Sequence, residues 1–230
     1  MLELTRKLIA ICNRFFYAVS FLTMPLRLLA LGDSYTIGEG VTLAEGWPAQ
    51  LTELLDQAGY PFAINHIIAK TGWTTEELSE GISQADIDAP YDVVTLLIGV
   101  NNQYRKLDFD LYAKEFAGLL EQAVAFAGNR PERVIVLSIP DWSVTPYFQD
   151  QQAHDSKTLV ASQLDEYNVE NCRLAYQRGC TYVDITGLTR EHRHDPHAWT
   201  EDGLHPAELM YTQWARKLEP VAIRILGKEG

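Results

Sequence analysis

The chain has 230 residues, 47% of them hydrophobic, and its 31 acidic against 19 basic side chains leave a formal net charge of -12. That length suits one α/β domain, and the apolar content suits a core large enough to need no disulfide or metal staple. An acidic surface with a pI near 4.9 repels phosphate, which excludes nucleic acid and anionic membrane as main partners.

Residues 1–23 carry Glu3, Arg6 and Lys7, then a mostly apolar stretch from Leu8 to Leu22 interrupted by Asn13-Arg14. No small-x-small cleavage site follows, so it makes a poor signal peptide, and it is too short and polar for a membrane span. Met24 stands directly before the first clear strand. We therefore expect a leader over 1–23, outside the functional chain, and one catalytic domain over 24–230. A short anchor or an amphipathic helix laid on the domain is the alternative. A start at Met24 implies a cytoplasmic location, no stable membrane insertion is expected, and the oligomeric state stays open.

The apolar run Leu26 to Leu31, ending in Gly32, reads as a strand buried on both faces. Pro48 to Ala58 has helical spacing, with Leu51, Leu54 and Leu55 on one face and Gly59 as the stop. Phe62 to Ala69 is a second strand. Thr74 or Thr75 can cap a helix running through Ile82, with Glu76 and Glu77 favoured in its first turn by the dipole. Asp92 to Ile98 is the strongest strand pattern. Phe109 to Phe126 is a long helix with a stripe of Tyr112, Phe116, Leu119, Leu120 and Val124. Val134 to Ile139 is a strand ended by Pro140, Lys157 to Arg178 a helix stopped by Gly179, and Thr181 to Ile185 a last short strand. A closing helix is expected from Pro206 to Leu226, with Pro206 in its first turn. Strands alternating with helices predict a mostly parallel sheet, and short apolar strands predict helices on both faces, a three-layer α/β/α sandwich. Ligands of such sheets sit beyond the carboxyl ends of the strands.

Three clusters fall at those ends and a fourth sits before the last helix. Ser34 follows the first strand in Gly32-Asp33-Ser34, where Gly32 allows a tight turn and Asp33 can brace the loop. Serine is a poor nucleophile at neutral pH and needs a base, itself held by a third group. Asp202-Gly203-Leu204-His205 supplies both: on a turn entering a helix, a spacing of three lets Asp202 accept from His205 Nδ1, freeing Nε2 for the Ser34 proton. Gly72 follows the second strand and Asn101 the third. With the Ser34 N–H they make three donors for an oxyanion, each worth about 3 kcal/mol in favourable cases. Each cluster has a plainer reading as a helix cap or turn residue; their conjunction at successive strand ends is what points to acyl transfer.

The stretches Gly32-Asp33-Ser34-Tyr35-Thr36-Ile37-Gly38, Gly72-Trp73-Thr74, Gly99-Val100-Asn101-Asn102 and Asp202-Gly203-Leu204-His205-Pro206 together resemble the SGNH (GDSL-type) hydrolases, in the family's order, over about residues 26 to 226. The resemblance implies a flavodoxin-like five-stranded sandwich and a serine esterase without cofactor. Ser34 is then the nucleophile, His205 the base held by Asp202, and Gly72 and Asn101 oxyanion donors beside the Ser34 N–H. Ala69 and Lys70 stand where the family often has an asparagine upstream of the glycine. The pentapeptide G-x-S-x-G is absent around Ser34, which disfavours the α/β-hydrolase fold.

Loops at this edge line the cleft, so Trp142, in the aromatic-rich stretch 141–156, and Trp73, Tyr104 and Trp199 are wall candidates for an ester pocket. His192, His194 and His197 fit no familiar zinc spacing and read as a solvated loop, so no metal is expected. Cys12, Cys172 and Cys180 are widely spaced and odd in number, and read as reduced thiols, although Cys172 and Cys180 could pair in an oxidising compartment. Two non-hydrolytic readings stand beside the hydrolytic one. A binding module on the same scaffold has no need of nucleophile, base, orienter and donors together. A nucleotide- or flavin-binding protein would want G-x-G-x-x-G or a lysine in the Gly32 to Gly40 loop, and neither is there. The expectation is a carboxylic ester hydrolase; the absence of a large insertion for a lid favours short acyl chains over long lipid chains.

Overall fold

The computed structural model describes residues 25–150 and 156–227. The expected leader 1–23, the start at Met24, Cys12 and part of the stretch 141–156 lie outside the described residues. Strand β1 (Leu26–Gly32) leads into a one-turn helix α1 (Ser34–Ile37) and then α2 (Trp47–Gln57). Strand β2 (Phe62–Ala69) is followed by α3 (Thr75–Gln84), and β3 (Val93–Leu97) by the short α4 (Val100–Tyr104) and the long α5 (Phe109–Phe126). Next come β4 (Val134–Leu137), α6 (Pro146–Asp150) and α7 (Lys157–Arg178), then β5 (Thr181–Val183), α8 (Thr186–Glu191) and α9 (Glu208–Leu226).

The five strands form one parallel sheet in the order β2-β1-β3-β4-β5. Leu28 to Leu31 and the whole of β3 are buried although successive side chains point to opposite faces, so both faces are covered. Helices α2 and α9 pack together as one layer, and α3, α5 and α7 pack side by side as the other. Arg27 is the polar exception in β1: near the strand's amino end, its guanidinium stacks 4.5 Å over the Tyr91 ring and reaches Asp88. Three of the long helices begin where side chains satisfy their first N–H groups. Thr74 and Glu77 form a reciprocal capping box on α3, Asp108 accepts from Leu111 N on α5, and Ser156 accepts from Leu159 N on α7.

Three expected ends move by two residues, each because a particular hydrogen bond replaces the expected one. Strands β4 and β5 end at Leu137 and Val183 although the apolar runs continue to Ile139 and Ile185, because side chains take over the backbone bonds. Asn168 accepts from Ile139 N and donates back to Ile139 O, while Ser138 Oγ accepts from Ile185 N and Thr186 N. The last helix starts at Glu208, not Pro206, with Ala207 as its cap. Pro206 pairs with Trp199 in an antiparallel bridge, and Thr200 N donates to His205 O, so residues 198–207 form a small hairpin ahead of the helix.

Candidate active site

Strand order reverses direction between β1 and β3, and the register sets Gly32 opposite both Ala69 of β2 and Leu97 of β3. The three loops that leave these strands therefore start level, around the crevice where such sheets bind ligands. Ser34 opens α1 from the middle loop and is nearly buried, at 5% exposure. Gly32 is required there for space rather than for an unusual turn. A Cβ on it would lie 2.1 Å from Thr36 Oγ1 and 2.5 Å from the Leu97 carbonyl oxygen. Asp33 caps α1, its Oδ1 accepting from Tyr35 N at 3.0 Å. Burial pushes the Asp33 carboxyl up to about 7, against the partial relief of that hydrogen bond, and its Oδ2 is buried without a partner among the described residues.

The opposite wall is the tip of the 198–207 hairpin. Asp202 Oδ2 lies 2.6 Å from His205 Nδ1, and its Oδ1 accepts from Thr200 Oγ1, Leu204 N and His205 N at 2.7 to 2.9 Å. Partial burial would raise the Asp202 carboxyl, but hydrogen bonds from His205, Thr200 and Leu204 outweigh it and hold the group well below the usual carboxylate range. A carboxylate with this many donors is a fixed anion, and it orients the imidazole by its Nδ1 edge. The Tyr35 ring packs against the imidazole at 5.8 Å between centroids.

Behind β2, the turn Lys70–Trp73 is closed by Trp73 N donating to Lys70 O, and Gly72 sits in it at φ +83°, a conformation that disfavours other residues. Helix α4 braces this loop. Asn101 Nδ2 donates to Trp73 O at 3.0 Å, and Asn102 both accepts from Thr75 N and donates to Thr75 Oγ1. Arg105 donates to Gly72 O at 2.5 Å and to Glu77. From the other side, Thr71 Oγ1 donates to Glu39. The turn that carries Ala69 and Lys70 is thus held by side chains from elsewhere in the chain.

Ser34, His205, Gly72 and Asn101 all line one cavity of about 180 Å³. Among the described residues, no direct hydrogen bond joins the Ser34 hydroxyl to His205; such contacts are often long before substrate binds. Tyr104, Trp142 and Tyr147 form the aromatic wall, with Val100 and Leu204 beside them. Trp142 is pinned by its Nε1 donating to Gln103 Oε1, and Tyr104 meets its ring edge-on at 5.3 Å. Two of the expected wall residues are elsewhere. The Trp73 ring lies over Gly81 on α3, where a Cβ would touch it, and Trp199 is buried in the hairpin stem, away from the cavity lining. Thr71, Tyr35, Val100 and Leu204 went unnamed as lining residues in the sequence reading, although each adjoins a motif residue and adjacency alone would have found them.

Cys172 and Cys180 are free thiols. His192 lies 3.8 Å from Asp195, and among the described residues no group of three or more His, Cys, Asp or Glu side chains is arranged to hold a metal ion. Among them, too, no helix is long and apolar enough to cross a membrane.

A structure described as a lipase/acylhydrolase from Enterococcus faecalis superposes with a TM-score of 0.64 at 16% identity, covering 88% of this chain and 96% of that one. An acetylxylan esterase, Axe2, from Geobacillus stearothermophilus gives 0.62 at 19% identity, with 88% and 94% covered. A structure of TesA gives 0.59 at 17%, with 86% and 99% covered. At these identities the likeness is one of fold. A search of curated proteins found no significant match. The family model of GDSL-like lipase/acylhydrolases matches residues 30–213, which spans all four motif clusters. The chain belongs to the GDSL-like lipase/acylhydrolase family, and with it to the ester-hydrolysing enzymes in the broad sense.

Proposed function

We propose that the chain is a carboxylic ester hydrolase for short acyl chains, working through Ser34, His205 and Asp202 and a covalent acyl-enzyme. His205 Nε2 takes the Ser34 proton as Oγ bonds to the ester carbonyl carbon. The oxyanion faces the N–H groups of Ser34 and Gly72 and the Asn101 amide. His205 then returns the proton to the leaving alcohol oxygen as the C–O bond breaks, and a water activated by the same imidazole releases the acid. The observation that carries this reading is the 2.6 Å Asp202–His205 contact at the rim of the cavity that Ser34 also lines. Support for short acyl groups comes from the small cavity, about 180 Å³, closed on one side by the Tyr104, Trp142 and Tyr147 rings.

Hydrolysis of a p-nitrophenyl ester ladder, acetate through palmitate, by wild type and Ser34→Ala tests it. Turnover should peak at the short end and vanish in the variant, which should also lose fluorophosphonate labelling. Substantial turnover by Ser34→Ala would overturn the mechanism, and a palmitate optimum would overturn the acyl-size reading.

A further inference from the structure

We propose that Arg105 is a positioning residue that fixes the spacing between the Gly72 N–H and the Asn101 amide in the oxyanion hole, an inference that rests on the serine-ester reading above. The problem it addresses is specific to the Gly72 turn. Lys70 and Thr71 are exposed and Gly72 is a left-handed glycine, so one turn hydrogen bond alone would leave this donor mobile. A catalytic donor has to be held within about 0.5 Å of its productive position.

Asn101 and Asn102 tie helix α4 to residues 73 and 75, one and three positions beyond the glycine. Arg105 reaches Gly72 itself. One guanidinium nitrogen, Nη2, donates to Gly72 O at 2.5 Å, while Nη1 donates to Glu77 Oε1 at 3.3 Å. Glu77 is itself locked into the α3 cap by accepting from Thr74 N. A planar fork can hold two acceptors at once in fixed geometry, which an ammonium on a flexible stem cannot. Arg105 caps the end of α4 four residues after Asn101, its N–H on Asn101 O, so both project toward the same loop. The short helix thereby carries one oxyanion donor at its start and clamps the loop of the other at its end.

The side chain is 43% exposed, so its removal should cost little stability. That separates positioning from folding. In Arg105→Ala we expect kcat to fall about 10- to 50-fold, short of the about 10²- to 10³-fold for deleting a donor outright, with KM within about twofold. Fluorophosphonate labelling of Ser34 should slow by a similar factor, because the phosphonyl oxygen uses the same donors, and the thermal midpoint should stay in place. Arg105→Lys keeps the charge without the fork and should recover less than half of the loss. A kcat unchanged in Arg105→Ala, a loss carried by KM, or full recovery in Arg105→Lys would each overturn the proposal; the last would make Arg105 a source of field rather than of position. Ser34→Ala run beside them separates the two levels, since its retained turnover would sink the serine reading and the clamp with it.

Discussion

The two walls of the cavity are held in different ways. On the hairpin, Asp202 and His205 find their partners within residues 200 to 205, all of them neighbours in sequence. On the wall that carries Gly72 and Asn101 the bonds join distant residues: Asn102 to Thr75 across 27 positions, Asn101 to Trp73 across 28, Thr71 to Glu39 across 32, and Arg105 to Gly72 across 33. The Asp202–His205 pair takes its hydrogen bonds from one short segment, and the fold adds the Tyr35 ring against the imidazole and Tyr147 N on Gly203 O. The Gly72–Asn101 wall exists only after β1, β2 and β3 have aligned. The two aspartates show the same contrast. Asp202 collects four hydrogen bonds and is held ionised, whereas burial of Asp33 outweighs its backbone hydrogen bonds and pushes it up to about 7.

The largest effect should come from breaking the local unit. In Asp202→Asn the side-chain oxygen can keep the bonds from Thr200, Leu204 and His205 N, but the amide N–H2 then faces His205 Nδ1. The imidazole must accept there and carry its proton on Nε2, the wrong tautomer for a base. We expect kcat to drop about 10³- to 10⁴-fold with little change in melting temperature. A variant that melts many degrees earlier would show that the hairpin is not self-contained.

On the other wall, structure should fail along with activity. Gly32→Ala forces a Cβ against Thr36 and the Leu97 carbonyl, and should cost about 3 kcal/mol in urea denaturation, since the backbone oxygen has nowhere to go. A loss under about 1 kcal/mol would mean that β1 and β3 adjust freely there. Asn102→Ala leaves the buried Thr75 N–H unpaired and should cost about 1–3 kcal/mol. Combined with Asp202→Asn, the two stability changes should add to within about 0.5 kcal/mol, because the walls are separate networks. A larger coupling energy would show that the two walls share one network.

The smallest effect is one of pH. Asp33 keeps its proton in the folded chain up to about 7, whereas the unfolded chain releases it in the ordinary carboxylate range. The folded state binds the extra proton, so this group's contribution falls as pH rises from about 4 to about 7 and is level above. Asp202 has the opposite sign: its contribution is present at neutral pH and lost as pH falls through its depressed folded value. Melting temperatures of Asp33→Asn and wild type should therefore diverge in the variant's favour between pH 4 and 7. A constant difference across that range would show Asp33 ionised throughout.

The same division between local and distant explains what was legible in the sequence. Apolar runs, helical spacing and stop glycines marked all five strands and the five long helices, because burial on both faces and amphipathic periodicity are written into consecutive residues. Asp202-x-x-His205 was legible as a pair for the same reason. The hairpin around it was not, since the helix signal of Pro206 is overridden by its pairing with Trp199. Strand ends at Leu137 and Val183 were hidden because Asn168 and Ser138, from other elements, replace ladder bonds. Trp73 and Trp199 looked like pocket walls by position in the chain, but which side a ring takes depends on what it packs against, Gly81 in one case and the hairpin stem in the other.

The sequence by itself determined the parallel α/β order and the residue types gathered at the carboxyl edge, because each rests on periodicity or on short spacing, and its four short motifs carried the resemblance to the family. Tertiary structure alone decided how large the cavity is, which aromatic residues line it, and that Arg105 meets Gly72. Those are distances between segments far apart in the chain, set by the register of neighbouring strands and the packing of helices on them, and no local pattern encodes them.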